Sequence, residues 1–471
     1  MLFILRYCSM KSKQMFTGRS EYLSKEVMMR SKQVWITVCL IGLVATSSGI
    51  CSEFRVGNIH KEWFPPSLTI LEFHVGEAVS LEVGDFDGDG WVDLIVGVYH
   101  TKSGRQLLVF YIPNTGDGHF VSPCLVAESP ELESAIQGAG GEGVVVDLDN
   151  DGKLDVVTFY ALTIMENGTP SVKNYLLVLW GNGDGTFRQQ WLEMPLVVYT
   201  FMQPVNPIAV GDFDGDGLKD IAYSKFYPPS VEILYNRGNY TWEKTEGSGI
   251  LTEGEGCVAI PLSLAASDFD GNGKSDLVVG GFCVFNADEP QQQEYKRFVK
   301  VFFAEDEGRF QETFGYISDV PDLTPLAPSL YITDLTGDEI EDLVITKPFR
   351  KQTPQELYLD REWIDQIVLF IRGTQTVRFF GPVTMQGVWG GILIYLEGKL
   401  PSYTFIGLSL GGRLGIAQFT GSLGGGFGLI ENAVAATLAD LDNDGWVEVV
   451  AAIRPWTENA TRIVIAARRK Q

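Results

Sequence analysis

Six short segments of this 471-residue chain set acidic side chains at one fixed spacing, Asp-x-Asp-x-Asp-Gly-x-x-Asp, each between two apolar runs. The first, "VGDFDGDGWVDLIVG", places Asp85, Asp87, Asp89 and Asp93 within nine positions. Hard cations such as Ca²⁺ take about six to eight oxygen ligands. Carboxylates at positions 1, 3, 5 and 9, with the backbone carbonyl of position 7 (here Trp91), can wrap one ion if the chain turns sharply, and Gly at position 6 permits that turn. The second copy offers Asp147, Asp149, Asp151, Asp155 and the carbonyl of Lys153; the third offers Asp212, Asp214, Asp216, Asp220 and the carbonyl of Leu218. The fourth has Asp268, Asp270, Asn272, Asp276 and Lys274, where Asn272 keeps an oxygen but not a charge. The fifth carries Asp334, Thr336, Asp338 and Asp342, but Glu339 stands where Gly is wanted, which predicts weak or lost binding. The last has Asp440, Asp442, Asp444, Trp446 and Glu448. Four to six structural Ca²⁺ ions are therefore expected.

An EF-hand needs a bidentate Glu at position 12 and flanking helices, but Val96, Thr158 and Tyr223 occupy that place inside strand-like runs. Solvated acidic turns are the plain alternative, and six copies of one oxygen spacing argue against it. Counting positions 1, 3, 5 and 9, these loops hold 22 of the 60 acidic residues, and six divalent ions would halve the formal charge of −24. A loop filled by protein oxygens leaves no open position for substrate, so a structural ion is expected over a catalytic one.

Such loops need elements that hold both ends. First acids recur at intervals of 62, 65, 56, 66 and 106 residues, the last close to two periods. Each unit reads as an apolar run into the loop, a second out of it, then a hairpin marked by Gly, Asn and Asp, as in "NYLLVLWGNGDGTFRQQW". Four strands per unit of about 60 residues predict an all-β, seven-bladed β-propeller with four-stranded blades. The motif-free interval supplies a degenerate sixth blade over about 387–432. The last blade lacks a fourth strand, and the N-terminal "EFRVGNIHKEWF" is placed there, closing the ring. One domain would then span 51–471.

Loop spacing, β-flanks and period together resemble the FG-GAP and VCBS-type repeats, similar to the β-propeller of integrin α chains. That resemblance implies ligand binding on the face opposite the acidic loops. The longest candidate loop there is 347–363, with Arg350, Lys351, Tyr358, Arg361 and Trp363.

Residues 1–50 form a leader in which "VWITVCLIGLVAT", preceded by Arg30 and Lys32, has signal-peptide proportions and falls short of the roughly 20 residues of a membrane span. No span is expected in the mature chain, and a secreted or cell-surface location follows. Sequons at Asn167, Asn239 and Asn459 fit export. A disulfide is expected between Cys257 and Cys283, placed on loops flanking one blade; Cys51 with Cys124 is a second option. The acidic balance argues against nucleic acid as a partner.

Enzyme signatures are thin. "GLSLG" around Ser409 matches a nucleophile elbow but leads into another strand, and "GAGGEG" at 138–143 precedes a strand instead of opening a helix. Four histidines, His60, His74, His100 and His119, form no zinc motif. The reading is an extracellular recognition or adhesion module with a protein or glycan ligand; the alternative is a secreted carbohydrate- or lipid-active enzyme on the same scaffold.

Overall fold

A computed structural model describes residues 67–100, 106–116, 118–130, 134–141, 143–195, 207–245, 250, 256–288, 292–317, 328–333, 341–349, 364–371, 376–384, 391–399, 402–409, 414–420, 423–430, 433–445, 447–453 and 461–467. Apart from one short 3₁₀ turn at Asp306–Gly308, the named elements are strands. The leader, Cys51, Asn459 and residues 350–363 of the long candidate loop lie outside the described residues.

Among the described residues the strands form seven antiparallel sheets, and in the first six the strands pair in chain order apart from the split first strand of the second. The first sheet runs Glu77–Gly84, Asp93–Tyr99, Leu107–Ile112, Cys124–Glu128. The third runs Ile208–Gly211, Asp220–Lys225, Ser230–Asn236, Trp242–Lys244, and the fourth Cys257–Ser267, Asp276–Phe285, Glu294–Ala304, Phe310–Ile317. The fifth begins at Ser329–Thr333 and ends with Thr376–Thr384. The predicted degenerate unit is the sixth: Gly391–Lys399, Ser402–Ser409, Leu414–Thr420, Leu423–Ile430. Ser409 therefore ends a strand that continues a meander, not a strand-to-helix elbow.

Second strands show why the apolar runs are continuous. All seven residues of Asp93–Tyr99 are buried, because a strand in a stack of sheets is covered on both faces. Alternation divides the faces. Leu94, Val96 and Val98 pack with Val450 and Ile463 of the seventh sheet, whereas Ile95 and Tyr99 pack with Val156 and Tyr160 of the second. Val157 and Phe159 meet Ile221 and Tyr223 of the third sheet, and Ala222 meets Leu277 and Val279 of the fourth. Val278 continues the series against Leu343 and Ile345 of the fifth. The core is thus a set of layers between neighbouring sheets, the packing of a β-propeller.

The second sheet departs from four strands. Its first strand is broken into Ala135–Gly140 and Val144–Val146, both paired with Asp155–Glu166 and followed by Thr169–Gly181 and Phe187–Met194. "GAGGEG" sits at that break. A Cβ at Gly140 would stand 2.6 Å from the Val79 carbonyl oxygen and one at Gly138 2.6 Å from the Tyr99 ring. These glycines let two inner strands approach; a dinucleotide site has no helix here.

The seventh sheet takes Ala433–Ala439, Glu448–Ile453 and Thr461–Ala467 from the end of the chain. Its fourth strand is Ser67–Phe73, paired from Ser67↔Ala467 to Phe73↔Thr461. An N-terminal strand does complete this sheet, but it lies after "EFRVGNIHKEWF", which falls outside the described residues. Pro65 and Pro66 just before it carry no N–H for a ladder, and the described strand is "SLTILEF". Arg462 Nε donates to Glu72 at 2.8 Å across the pair.

The disulfide expectation is corrected. Cys257 and Cys283 lie within adjacent strands, not loops, and both are buried thiols. Cys257 is opposite Phe285 and Cys283 opposite Ala259, which makes them diagonal neighbours. Diagonal Cα atoms are about 7–8 Å apart, beyond the roughly 4.4–6.8 Å that a disulfide spans. Cys124 is an exposed thiol on the outer strand of the first sheet.

Candidate metal centres

Each described acidic loop joins the first and second strands of a sheet, so all five lie at the same end of their sheets. The loop is wound by its own carboxylates. In the first, Asp85 accepts the N–H groups of Gly88 at 2.8 Å and Gly90 at 3.0 Å, Asp87 accepts Asp89 N at 3.2 Å, and Asp89 accepts Trp91 N at 2.9 Å. Gly90 at position 6 has φ +90°, which explains the residue type. Position 2 anchors the loop as expected: Phe86, Leu148, Phe213, Phe269 and Leu441 are all buried. Phe86 stands edge-on to Phe187 of the second sheet, with ring centroids 5.7 Å apart.

Carboxylate oxygens converge within 4.8 Å in five loops: Asp85, Asp87 and Asp93; Asp147, Asp149 and Asp155; Asp212, Asp214 and Asp216; Asp268, Asp270 and Asp276; Asp440, Asp442 and Glu448. The donors are oxygen alone, without His or Cys, and that chemistry fits a hard divalent cation. Four of the five sets use positions 1, 3 and 9, and the third uses positions 1, 3 and 5. Position 5 also accepts the N–H of position 7, Asp89 from Trp91, Asp151 from Lys153, Asp216 from Leu218, and Asn272 from Lys274 at 2.7 Å. Asp444 lies outside its convergent set. Asp342 opens the second strand of the fifth sheet, but Asp334, Thr336 and Asp338 lie outside the described residues, as does Trp446.

Position 9 has a role that spacing did not reveal. Asp93 accepts Phe86 N at 3.1 Å and Asn114 N at 2.8 Å, tying the loop to the hairpin between the third and fourth strands. Asp155 does the same with Leu148 N and Gly181 N, Asp220 with Phe213 N and Asn236 N, and Asp276 with Phe269 N and Ala304 N. Sequence reasoning also missed Tyr111, whose hydroxyl donates to Asp87 and Asp93, both at 3.0 Å. Neighbouring loops are tied too. Asn150 and Asn443, both at positive φ, donate to the carbonyls of Gly217 and Gly90 in adjoining sheets. Ser275 N reaches Asp212 O at 2.7 Å.

Burial pushes position 9 upward despite these hydrogen bonds: Asp93 and Asp276 to about 6, Asp155, Asp220 and Glu448 to about 7, with neighbouring loop carboxylates adding to the rise. An unfolded carboxyl titrates near about 4. Between about pH 4 and 7 the cation-free native chain therefore holds more protons than the unfolded one, and its stability falls as pH rises through that window. In EDTA the thermal midpoint is expected to climb as pH is lowered from 8 to 5.5; with saturating cation, which takes the place of those protons, the climb should vanish. A steady fall on acidification in EDTA would contradict this assignment.

Comparison with known proteins finds a family model described as an FG-GAP-like repeat over residues 85–158 and 212–279, which embraces the first four loops. Among solved structures, the Dos1 propeller matches at 9% identity with TM-score 0.38, over 84% of this chain and 94% of that one. A variant of the NanB sialidase from Streptococcus pneumoniae matches at 8% identity with TM-score 0.43, over 86% of this chain and 70% of that one.

Proposed function

We propose that this carrier of FG-GAP-like repeats is an exported, seven-bladed propeller stapled by Ca²⁺, serving extracellular recognition or adhesion toward a protein or glycan. The observation that carries the reading is the recurrence of convergent, all-oxygen carboxylate sets at one end of successive sheets. Hard oxygen donors around a loop wound on glycine favour Ca²⁺, which tolerates irregular coordination, over Mg²⁺, which demands a near-ideal octahedron. The staple leaves the opposite end of the sheets for partners, where Asn167, exposed at φ +51° in a hairpin turn, fits an attachment point for glycan. Among the described residues no helix is long and apolar enough to cross a membrane.

Calorimetric titration of the chelated full chain with CaCl₂ tests the staple: four to six bound ions are expected, and none would refute it. A glycan and extracellular-protein array, run with and without EDTA, tests the recognition role. Calcium-dependent hits are expected, and a blank array in both conditions would count against it.

A further inference from the structure

The loops differ in what faces their carboxylates. The hairpin residue after the one that donates its N–H to position 9 is Thr115 in the first sheet, Asn182 in the second and Glu305 in the fourth, but Arg237 in the third. Arg237 Nη1 donates to Asp214 at 2.7 Å and to Asp216 at 3.1 Å, while Nε donates to Glu243 at 2.7 Å. Its guanidinium lies 5.0 Å from the centre of the Tyr235 ring. Three carboxylates and a ring face thus fix a planar cation at positions 3 and 5. The convergent set differs here as well: Asp216 joins it and Asp220 does not, unlike the position 9 acids of the other four loops.

In the second and fourth loops the nearby lysines turn to oxygens outside the convergent sets. Lys153 pairs with Asp151, outside its set, at 2.9 Å. Lys274 turns to Asp306 at 2.8 Å and to the Glu305 carbonyl at 3.1 Å. In the first loop the neutral Tyr111 hydroxyl donates to Asp87 and Asp93 of the convergent set.

Resting on the calcium reading above, we infer that Arg237 is the resident cation of the third loop, neutralising it without metal and yielding its place before a divalent ion enters. Two carboxylates of the third loop are committed to the guanidinium, so an ion must displace it and then sit beside a repelled positive charge. The third loop is accordingly the weak or late-filling site, although its four aspartates make it equal to the first by sequence.

The test uses the full chain and CaCl₂ alone. Calorimetric titrations compare wild type, Arg237→Gln, Arg237→Lys, and Arg237→Gln combined with Asp212→Asn, which disables the third loop. Arg237→Gln should convert one weak site into one about three- to tenfold tighter, the scale of removing a partly exposed ion pair. The gain should disappear in the double variant, and Arg237→Lys should fall between. In EDTA, Arg237→Gln should unfold at a lower temperature than wild type, because Asp214 and Asp216 lose the guanidinium they are paired with. Unchanged or weaker affinity in Arg237→Gln, with the other sites still filling, would overturn this inference and leave the staple intact. No binding by any variant would overturn both.

Discussion

Chelating divalent cations from the folded chain is expected to lower its thermal midpoint by on the order of 10 °C at neutral pH, and restoring millimolar CaCl₂ to reverse the change. Each loop crowds three carboxylates within 4.8 Å, and position 9 is buried as well. Without a counter-ion that arrangement is repulsive. With Kd near about 10⁻⁴ M, typical of extracellular modules, 1 mM ion contributes about 1.4 kcal/mol per site by mass action. Four such sites, leaving out the third loop that Arg237 occupies, give about 6 kcal/mol, which in a domain of this size is a shift on the order of 10 °C. Differential scanning calorimetry with and without EDTA measures it. A shift under about 2 °C would mean that the carboxylates are held by hydrogen bonds alone. Because the loops also connect neighbouring sheets through Asn150 and Asn443, the loss should appear as one cooperative transition at lower temperature.

The second large effect concerns one side chain. Asp155→Ala is expected to cost about 3–5 kcal/mol even in EDTA, where cation loss plays no part. Both of its oxygens accept backbone N–H groups at 2.8 Å, from Leu148 and Gly181, and the carboxyl is buried. Alanine strands two donors at about 1–3 kcal/mol each and loosens the loop from the hairpin. Asp151→Ala, in the same loop but at exposed position 5, should cost less than about 1 kcal/mol under those conditions. Urea unfolding of the two variants beside wild type checks the contrast; equal costs would remove position 9 from the framework of the sheet.

Much of this was legible in one dimension because the information is local. Oxygen spacing within nine residues follows from which side chains a turn can gather, and Phe86 at position 2 was expected inside because a loop at the rim needs an apolar anchor. The sixth sheet was legible without any acid, since alternating apolar runs with turn residues specify a meander whether or not its loop holds an ion. What escaped the sequence depends on distant partners. Tyr111, on a third strand, and Arg237, in a hairpin turn, reach their loops from about twenty residues downstream, where nothing but the fold brings them close. Cys257 and Cys283 read as loop residues because their strands are longer than the unit's average, at eleven and ten residues.

The strand Ser67–Phe73 finds its partner about 390 residues later. During synthesis the first six sheets have every strand they need before Thr461–Ala467 emerges, whereas this strand must wait for that segment. Until then it presents an unpaired edge with Ile70 outward, open to a neighbouring chain as readily as to its own. Joining the two paired strands by a short linker and opening the chain elsewhere would remove the wait. Such a circular permutant should refold faster and aggregate less, because the longest loop that must close is gone.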